Sequence, residues 1–327
     1  MTSHSEAGLP AFPAARFIKE IGRGKDGARS MTREDATLLY EAMLAGRVSD
    51  LELGAILLSM RIKGESIDEI AGFLDAAKAF VLPLSAPASR YAPVIIPSYN
   101  GARKKANLTP LLALLLAREG VPVLVHGVTN DAGRVTSAEI FAELGIPLVS
   151  TAEQVYAQMA AQQPAMMSID ALSPAMARLL NVRRILGVRN STHTLVKLLQ
   201  PMSCPALRLN SYTHPEYLHM LSQYFATHQK AEEGDVFMMR GTEGETVAST
   251  GRAQRIDWLS RGVAQTVLET QETLIGSTPA MPEALDPQST ARWITSVLAG
   301  DIPVPDNIAR QVQLCVDVAH NIQASSV

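Results

Sequence analysis

The chain has 327 residues, 47% of them hydrophobic and 19% charged, with a formal net charge of −3 at pH 7. This composition excludes a disordered chain, and the length fits one large domain or two ordinary ones around a sizeable core. Two cysteines, Cys204 and Cys315, stand far apart in no metal-like spacing. No apolar run approaches a membrane span, and residues 1–13 lack a secretion-signal pattern, so the expectation is a soluble, cytoplasmic protein with no membrane partner.

The first ~80 residues read as helices, from their periodicity and caps. A short one covers Ala14 to Ile21 and ends at Gly22-Arg23-Gly24. Gly22, Gly24 and Gly27 match a dinucleotide-binding fingerprint, but a helix precedes them where a strand is needed, so that reading fails. Thr32 opens a helix with Ala36, Leu39, Tyr40 and Met43 on one face. Ser49-Asp50-Leu51-Glu52 opens the next, whose Leu51, Leu53, Ile56, Leu57, Leu58 and Met60 are apolar nearly all round and predict burial against more than one neighbour. Ser66-Ile67-Asp68-Glu69 opens a helix running to about Phe80. Such helices are expected to pack on a second copy of themselves, giving a homodimer through the N-terminal helical domain.

Prolines 83, 87 and 93 mark a linker. Beyond it strands and helices alternate: strands at Val94 to Ile96, Val121 to His126, Pro147 to Val149 and Met166 to Ile169, with helices at Pro110 to Glu119, Ser137 to Leu144 and Glu153 to Gln162. A helical stretch, Pro174 to Leu199, breaks near Gly187. Strands at Ala206 to Leu209 and Val236 to Met239 flank a helix at Pro215 to His228. The remainder reads as strands near Val247 and at Ile256 to Leu259, then helices at Thr290 to Leu298 and Ile308 to Gln323. Short apolar strands alternating with helices predict an α/β fold with a mainly parallel sheet covered on both faces.

Charge is unevenly distributed along this chain. No acid occurs between Asp75 and Glu119, where Lys78, Arg90, Arg103, Lys104, Lys105 and Arg118 fall. None occurs between Asp170 and Glu216, where Arg178, Arg183, Arg184, Arg189, Lys197 and Arg208 fall. From Ala231 onward 13 acids face 6 bases. One reading is a cationic face; the other is an interior that avoids carboxylates. Arg and Lys are rarely buried, which favours the face.

The segment Pro97 to Pro110 lies between a strand and a helix, where backbone N–H groups and a helix start hold phosphate in α/β proteins. It carries Arg103, Lys104 and Lys105 in succession, more positive side chains than a small-substrate site requires and suited to a polyanion. If Arg189 to Lys197 forms one helix, Arg189, His193 and Lys197 recur at i, i+4 and i+8 as one cationic stripe. Arg183 and Arg184 fall on different sides of their helix. The expected nucleic-acid contacts are therefore Arg103, Lys104, Lys105, Arg178, Arg183, Arg184, Arg189, His193 and Lys197. Tyr99 and Tyr212 are stacking candidates but read better as core, and His126 and His214 as hydrogen-bonded core or turn residues.

The run Leu51 to Phe80, the loop Pro97 to Pro110, Val125-His126-Gly127, Leu186-Gly187-Val188-Arg189 and His214-Pro215-Glu216 together resemble the anthranilate phosphoribosyltransferases over nearly the whole chain. The resemblance implies a small helical domain (residues 1–88, completed by inserted helices at about 172–200) and a large α/β domain (89–171 and 201–327). It also implies displacement of pyrophosphate from phosphoribosyl pyrophosphate, assisted by magnesium, in a cleft between the domains. Two motifs depart from the family. Where it shows Gly-Thr-Gly-Gly-Asp, this chain has Asn100-Gly101-Ala102-Arg103-Lys104. Where it shows an adjacent Asp-Glu, this chain has Gly241-Thr242-Glu243-Gly244-Glu245.

On this resemblance Asn100, Gly101, Asn107, Thr109, His126, Gly127 and Arg189 are a vestigial phosphate or substrate site. No catalytic residue and no metal or other cofactor is expected. Ile18 to Lys25, Ile95 to Lys104 and Gly187 to Ser191 are similar to the YbiB-type branch, which implies a dimer that binds DNA or RNA without sequence preference along cationic grooves. The alternative is an active pentosyl or phosphoribosyl transferase, or a phosphorylase, with altered substrate, for which magnesium would be the cofactor; a protein-interaction scaffold is a third reading.

Overall fold

Helix caps lay down the first part of the chain. The computed structural model describes residues 10–24, 26–272 and 279–325; Lys25, the last residue of one of the motifs above, lies outside them. The opening helices are α1 (Ala15–Ile21), α2 (Arg33–Leu44), α3 (Asp50–Lys63) and α4 (Ile67–Ala77). The Thr32 hydroxyl accepts from the Asp35 N–H, and Ser49 with Glu52 and Ser66 with Glu69 form reciprocal capping boxes. Glu69 is buried, yet it accepts from Met31 N, Ser66 N and Lys63 Nζ at 2.9, 2.8 and 2.7 Å, which offsets the loss of its hydration. Close approach of α4 to α2 depends on Gly72, where a Cβ would run into the Arg33 carbonyl and Ala36.

From residue 94 the chain alternates β1 (Val94–Ser98), α5 (Thr109–Arg118), β2 (Val123–Gly127), α6 (Ser137–Glu143), β3 (Leu148–Val149), α7 (Ala152–Ala160), β4 (Ala165–Ser168) and α8 (Ile169–Leu172). Short helices follow: α9 (Pro174–Asn181), α10 (Arg183–Leu186) and α11 (Thr192–Leu195). The remainder is β5 (Ala206–Ser211), α12 (Pro215–His228), β6 (Gly234–Met239), β7 (Arg252–Ala253), β8 (Ile256–Ser260), β9 (Val263–Leu268), β10 (Gln271–Glu272), α13 (Pro287–Ala299) and α14 (Asp306–Ala324). The chain divides into two compact units, residues 1–81 with 174–196, and residues 82–173 with 197–327. The sequence boundaries stood at 88, 172 and 200.

The second unit holds an eight-stranded sheet in the order β3-β4-β2-β1-β5-β6-β8-β9. The first six strands in that order pair in parallel, and β8 and β9 add antiparallel edges, so the fold is α/β with a mainly parallel mixed sheet. Strands β1, β2, β5 and β6 are buried at every position, as expected of a sheet covered on both faces. Leu111, Leu116, Val125, Phe141, Phe237 and Ile294 belong to its core.

Two expectations change, and one long edge strand is added. No strand forms at Val247, where the chain turns and only an isolated bridge, Thr242 to Glu245, is made. β9 escapes the sequence pattern because its first three residues are exposed at the sheet edge. Arg189 to Lys197 is not one helix: Gly187 ends α10 in the left-handed region at φ 73°, and Asn190 accepts from Thr192 N to start the four-residue α11. The proposed stripe of Arg189, His193 and Lys197 therefore does not exist, and Lys197 falls in the other unit from the first two.

Candidate functional site

Parallel sheets collect their loops at the carboxyl ends of the strands, where α/β proteins bind ligands. Here the segments after β1, β2, β5 and β6 meet, and the loop after β1 is held by two carboxylates from the segment after β6. Glu245 Oε1 accepts from Asn100 N at 2.8 Å and Gly101 N at 2.7 Å, and its Oε2 accepts from Thr109 Oγ1 at 3.4 Å. Glu243 Oε1 accepts from Lys104 N at 2.8 Å and its Oε2 from Arg103 N at 3.0 Å. Backbone N–H groups that would cradle a phosphate thus cradle two glutamates.

Two glycines permit this. Gly101 has φ 62°, and a Cβ there would meet the Val135 carbonyl; Gly244 has φ 91°, and a Cβ there would meet the Asn100 amide. Asn100 Nδ2 and Ser211 Oγ both donate to Gly244 O, at 2.7 and 2.8 Å. Asn107 accepts from Thr109 N at 3.2 Å and donates to Val135 O at 3.2 Å and Ser137 Oγ at 3.1 Å. Asn100, Gly101, Asn107 and Thr109 therefore come together, as the sequence proposed, and each is part of the loop's own anchoring.

With its backbone turned inward, the loop turns its side chains out. Arg103, Lys104 and Lys105 are exposed. They line a cleft of about 450 Å³ with Arg134, from the segment after β2, and Arg240, from the end of β6. Lys105 Nζ donates to Ser249 Oγ at 3.4 Å, and Arg134 donates to Gly101 O at 3.1 Å and lies 3.8 Å from Glu243. The cleft also exposes part of Tyr212, whose hydroxyl pKa is raised, chiefly by burial and then by Asp257. Sequence reading missed Arg134 and Arg240, which have no acid-free segment around them to announce them. Their signal was position: both follow a parallel strand whose loop faces this end of the sheet.

His126 and Gly127 lie at the end of β2, below the loop. Gly127 sits opposite Ser98 in the sheet register, and a Cβ on it would collide with the Ser98 carbonyl. His126 is fully buried, with Nδ1 2.7 Å from the Tyr99 hydroxyl and Nε2 without a partner among the described residues. Burial drives its pKa down from 6.5 to about 3, and burial first, then Asp170, raises that of Tyr99. The His126 side chain is interior and that of Tyr99 is half-buried.

Of the remaining predicted cations, all but Lys197 belong to the first unit. Arg178 Nη2 donates to Met43 O at 2.6 Å and Leu44 O at 3.1 Å, closing the C-terminal end of α2, so its guanidinium is a helix cap. Arg183 and Arg184 are exposed on α10 and Arg189 is exposed in the turn after it. His193 turns its Nδ1 back to within 3.2 Å of Asn190 N. Arg208, from the second acid-free segment, is interior: it is 3% exposed, 3.6 Å from Glu233 and over the Phe225 ring. Among the described residues no group of three or more His, Cys, Asp or Glu is placed to hold a metal ion, and no helix is long and apolar enough to cross a membrane.

A helical unit with an inserted segment, and an α/β unit whose loops build a cation-lined cleft, define a transferase-like scaffold. Residues 15–81 match the glycosyl transferase family helical bundle domain and residues 100–320 the glycosyl transferase family a/b domain. The chain belongs to glycosyl transferase family 3. It is 43% identical over 302 residues to YbiB of Escherichia coli (strain K12), an uncharacterized protein, covering 92% of each. It is 31% identical over 190 residues to the anthranilate phosphoribosyltransferase of Rhodopseudomonas palustris (strain BisA53), covering 58% of this chain and 54% of that one. The structure of the Saccharomyces cerevisiae anthranilate phosphoribosyltransferase in complex with PRPP and Mg superposes with a TM-score of 0.69 at 15% identity, over 96% of this chain and 89% of that one, a likeness of fold.

Two outcomes are expected from this geometry. Glu245→Ala leaves the Asn100 and Gly101 N–H groups buried without an acceptor, at a cost of about 2–4 kcal/mol, and hydrogen exchange at those amides accelerates while that of the β1 and β2 amides does not. For His126, the unfolded imidazole takes up a proton below pH 6.5 and the folded one does not until about pH 3. Stability is therefore fully present above pH 6.5 and is lost on acidification toward pH 3, by up to about 1.4 kcal/mol per pH unit from this group. Urea unfolding of the wild type and of His126→Gln across this range measures it, with a shallower pH dependence expected in the variant.

Proposed function

We propose that this protein binds nucleic acid through its phosphates, without reading sequence, using the cationic cleft of the α/β unit. The observation that carries the proposal is the inversion at the loop after β1. Its N–H groups are occupied by Glu243 and Glu245, while Arg103, Lys104 and Lys105 face outward beside Arg134 and Arg240. A row of side-chain cations neutralises successive phosphates and releases their counterions, a mode that needs no base contact. The exposed Arg183, Arg184 and Arg189 of the helical unit are further candidates for phosphate contact.

Phosphoribosyl transfer, the reaction named by the anthranilate phosphoribosyltransferases, is the competing reading. It asks this site to receive a pyrophosphate and, as in the yeast complex, magnesium. Magnesium demands near-octahedral oxygen ligands with free lone pairs. Each oxygen of Glu243 and Glu245 already accepts from an N–H or O–H group. Both lone pairs of Glu245 Oε1 are taken, and each of the other three oxygens carries one donor. The carboxylates are thus committed to the loop, which counts against the ion; no step through it is assigned. The same occupancy supports a non-enzymatic role.

The partner completing the proposal is a second copy of the chain, docked through α3. Leu51, Leu58 and Ile62 are 86%, 46% and 57% exposed. With the half-buried Ala55 they recur at i, i+4, i+7 and i+11, so they form one apolar stripe along the helix. The sequence reading expected Leu51 and Leu58 of this stripe to be covered. A copy of the same stripe is apolar throughout and self-complementary about a two-fold axis.

Titrating a labelled oligonucleotide at rising salt tests the cleft. Affinity should fall steeply with salt, and charge reversal (R103E/K104E/K105E) should lower the log–log slope by about 2–3, at roughly 0.7–0.9 per lost phosphate contact. Weak salt dependence, or a rise in melting temperature with phosphoribosyl pyrophosphate and magnesium, supports the transferase instead. Leu58→Asp combined with Ile62→Asp should convert the dimer to a monomer in sedimentation or light scattering, with secondary structure unchanged.

A further inference from the structure

The loop that carries Lys104 and Lys105 has a second side. Behind it, against the 242–250 turn and the chain at 281–285, lies a recess of about 240 Å³ walled by Leu108, Val247, Met281 and Leu285. Lys104, Lys105 and Thr242 line both this recess and the cationic cleft, so the apolar chamber opens beside the cations. Thr242 contributes a hydroxyl that is buried and has no hydrogen-bond partner among the described residues. A buried polar atom left unsatisfied asks for a partner, and a ligand atom reaching past the recess wall would supply one.

We propose that the recess takes one nucleobase, with the attached phosphate resting on Lys104 and Lys105 and a ring-edge group meeting the Thr242 hydroxyl. Only the placing of phosphate on the cations rests on the nucleic-acid reading above. Size argues for a base: pockets that enclose a whole drug-sized ligand run to about 300–1,000 Å³, so this one suits a single ring system whose charged remainder stays outside. The wall chemistry agrees, since aliphatic side chains and a methionine thioether pack well on an aromatic face. An aliphatic acid fits less well, because five cations line the adjoining cleft and one carboxylate would meet few of them. The same chemistry is available from a free nucleotide or from an unpaired residue of a strand.

Both sources are tested with the full chain. Fluorescence anisotropy compares a single strand with a wholly abasic strand of equal length, and calorimetry follows a purine nucleoside monophosphate. Each is run on wild type, on Leu285→Trp, which fills the recess from a half-buried position, and on Thr242→Val, which removes the hydroxyl. We expect filling to weaken the base-bearing strand by about tenfold, the equivalent of one lost base contact, and to leave the abasic strand and the salt slope unchanged. Thr242→Val should act in the same direction by a smaller factor, and it decides the matter if Leu285→Trp does not fold. Loss of monophosphate binding on filling assigns the recess to a free nucleotide as well; a strand-only effect assigns it to an unpaired residue. If strands fail to bind but the monophosphate binds and is displaced by filling, the recess stands and the polynucleotide reading falls. If strands bind wild type and both variants alike, and the monophosphate does not distinguish them, the recess is overturned and the cationic cleft stands. If nothing binds, both fall.

Discussion

Glu245 is the residue on which the architecture of this site turns. A carboxylate buried to 1% exposure must be matched, and it is matched by two consecutive backbone N–H groups and a threonine hydroxyl from a loop about 140 residues earlier. This clamp ties the segment after β6 to the segment after β1 across the intervening β5. Glu243 repeats the arrangement one step outward, on Arg103 N and Lys104 N. The two glutamates stand at i and i+2, joined by Gly244 in a conformation that glycine tolerates. With the N–H groups of residues 100–104 spent internally, that stretch has no backbone donor left to offer a phosphate. What it offers is the outward row of side chains that the inward backbone leaves free to project.

The same clamp explains how a chain with net charge −3 presents a cationic cleft. Two of the acids from its acidic C-terminal part sit beneath the loop, engaged by N–H dipoles, and the cations of residues 103–105 gather with Arg134 and Arg240 above it. Glu243 does share the cleft, 3.8 Å from Arg134, and trims its field there. Five cations against one carboxylate still leave a strong local excess, the pattern that attracts a polyanion and loses grip as salt rises.

Much of the fold was legible in the residues. Ser49, Ser66 and Thr32 marked helix starts that the structure keeps, and the apolar runs from Val94 to Met239 became strands of a buried sheet. Local caps and continuous apolar runs act over a few residues, so they survive whatever the rest of the chain does. The misreadings each needed a distant partner to resolve. Arg178 is exposed, but its guanidinium also caps a helix 130-odd residues away. Arg208 looked exposed and is sealed against Glu233 and Phe225. The stripe at 189, 193 and 197 presumed a helix that Gly187 and Asn190 interrupt.

The sequence alone determined the helical opening, the α/β alternation, the family resemblance and the gathering of Arg103, Lys104 and Lys105 in one loop. These depend on neighbours along the chain: caps, apolar periodicity and adjacent charges. Only the tertiary structure decided that the glutamates of residues 243 and 245 fill the loop's N–H groups, that Arg134 and Arg240 join its cations, and that an apolar recess opens behind them. Those outcomes depend on which strand ends lie side by side in the sheet, a long-range pairing that no local pattern encodes.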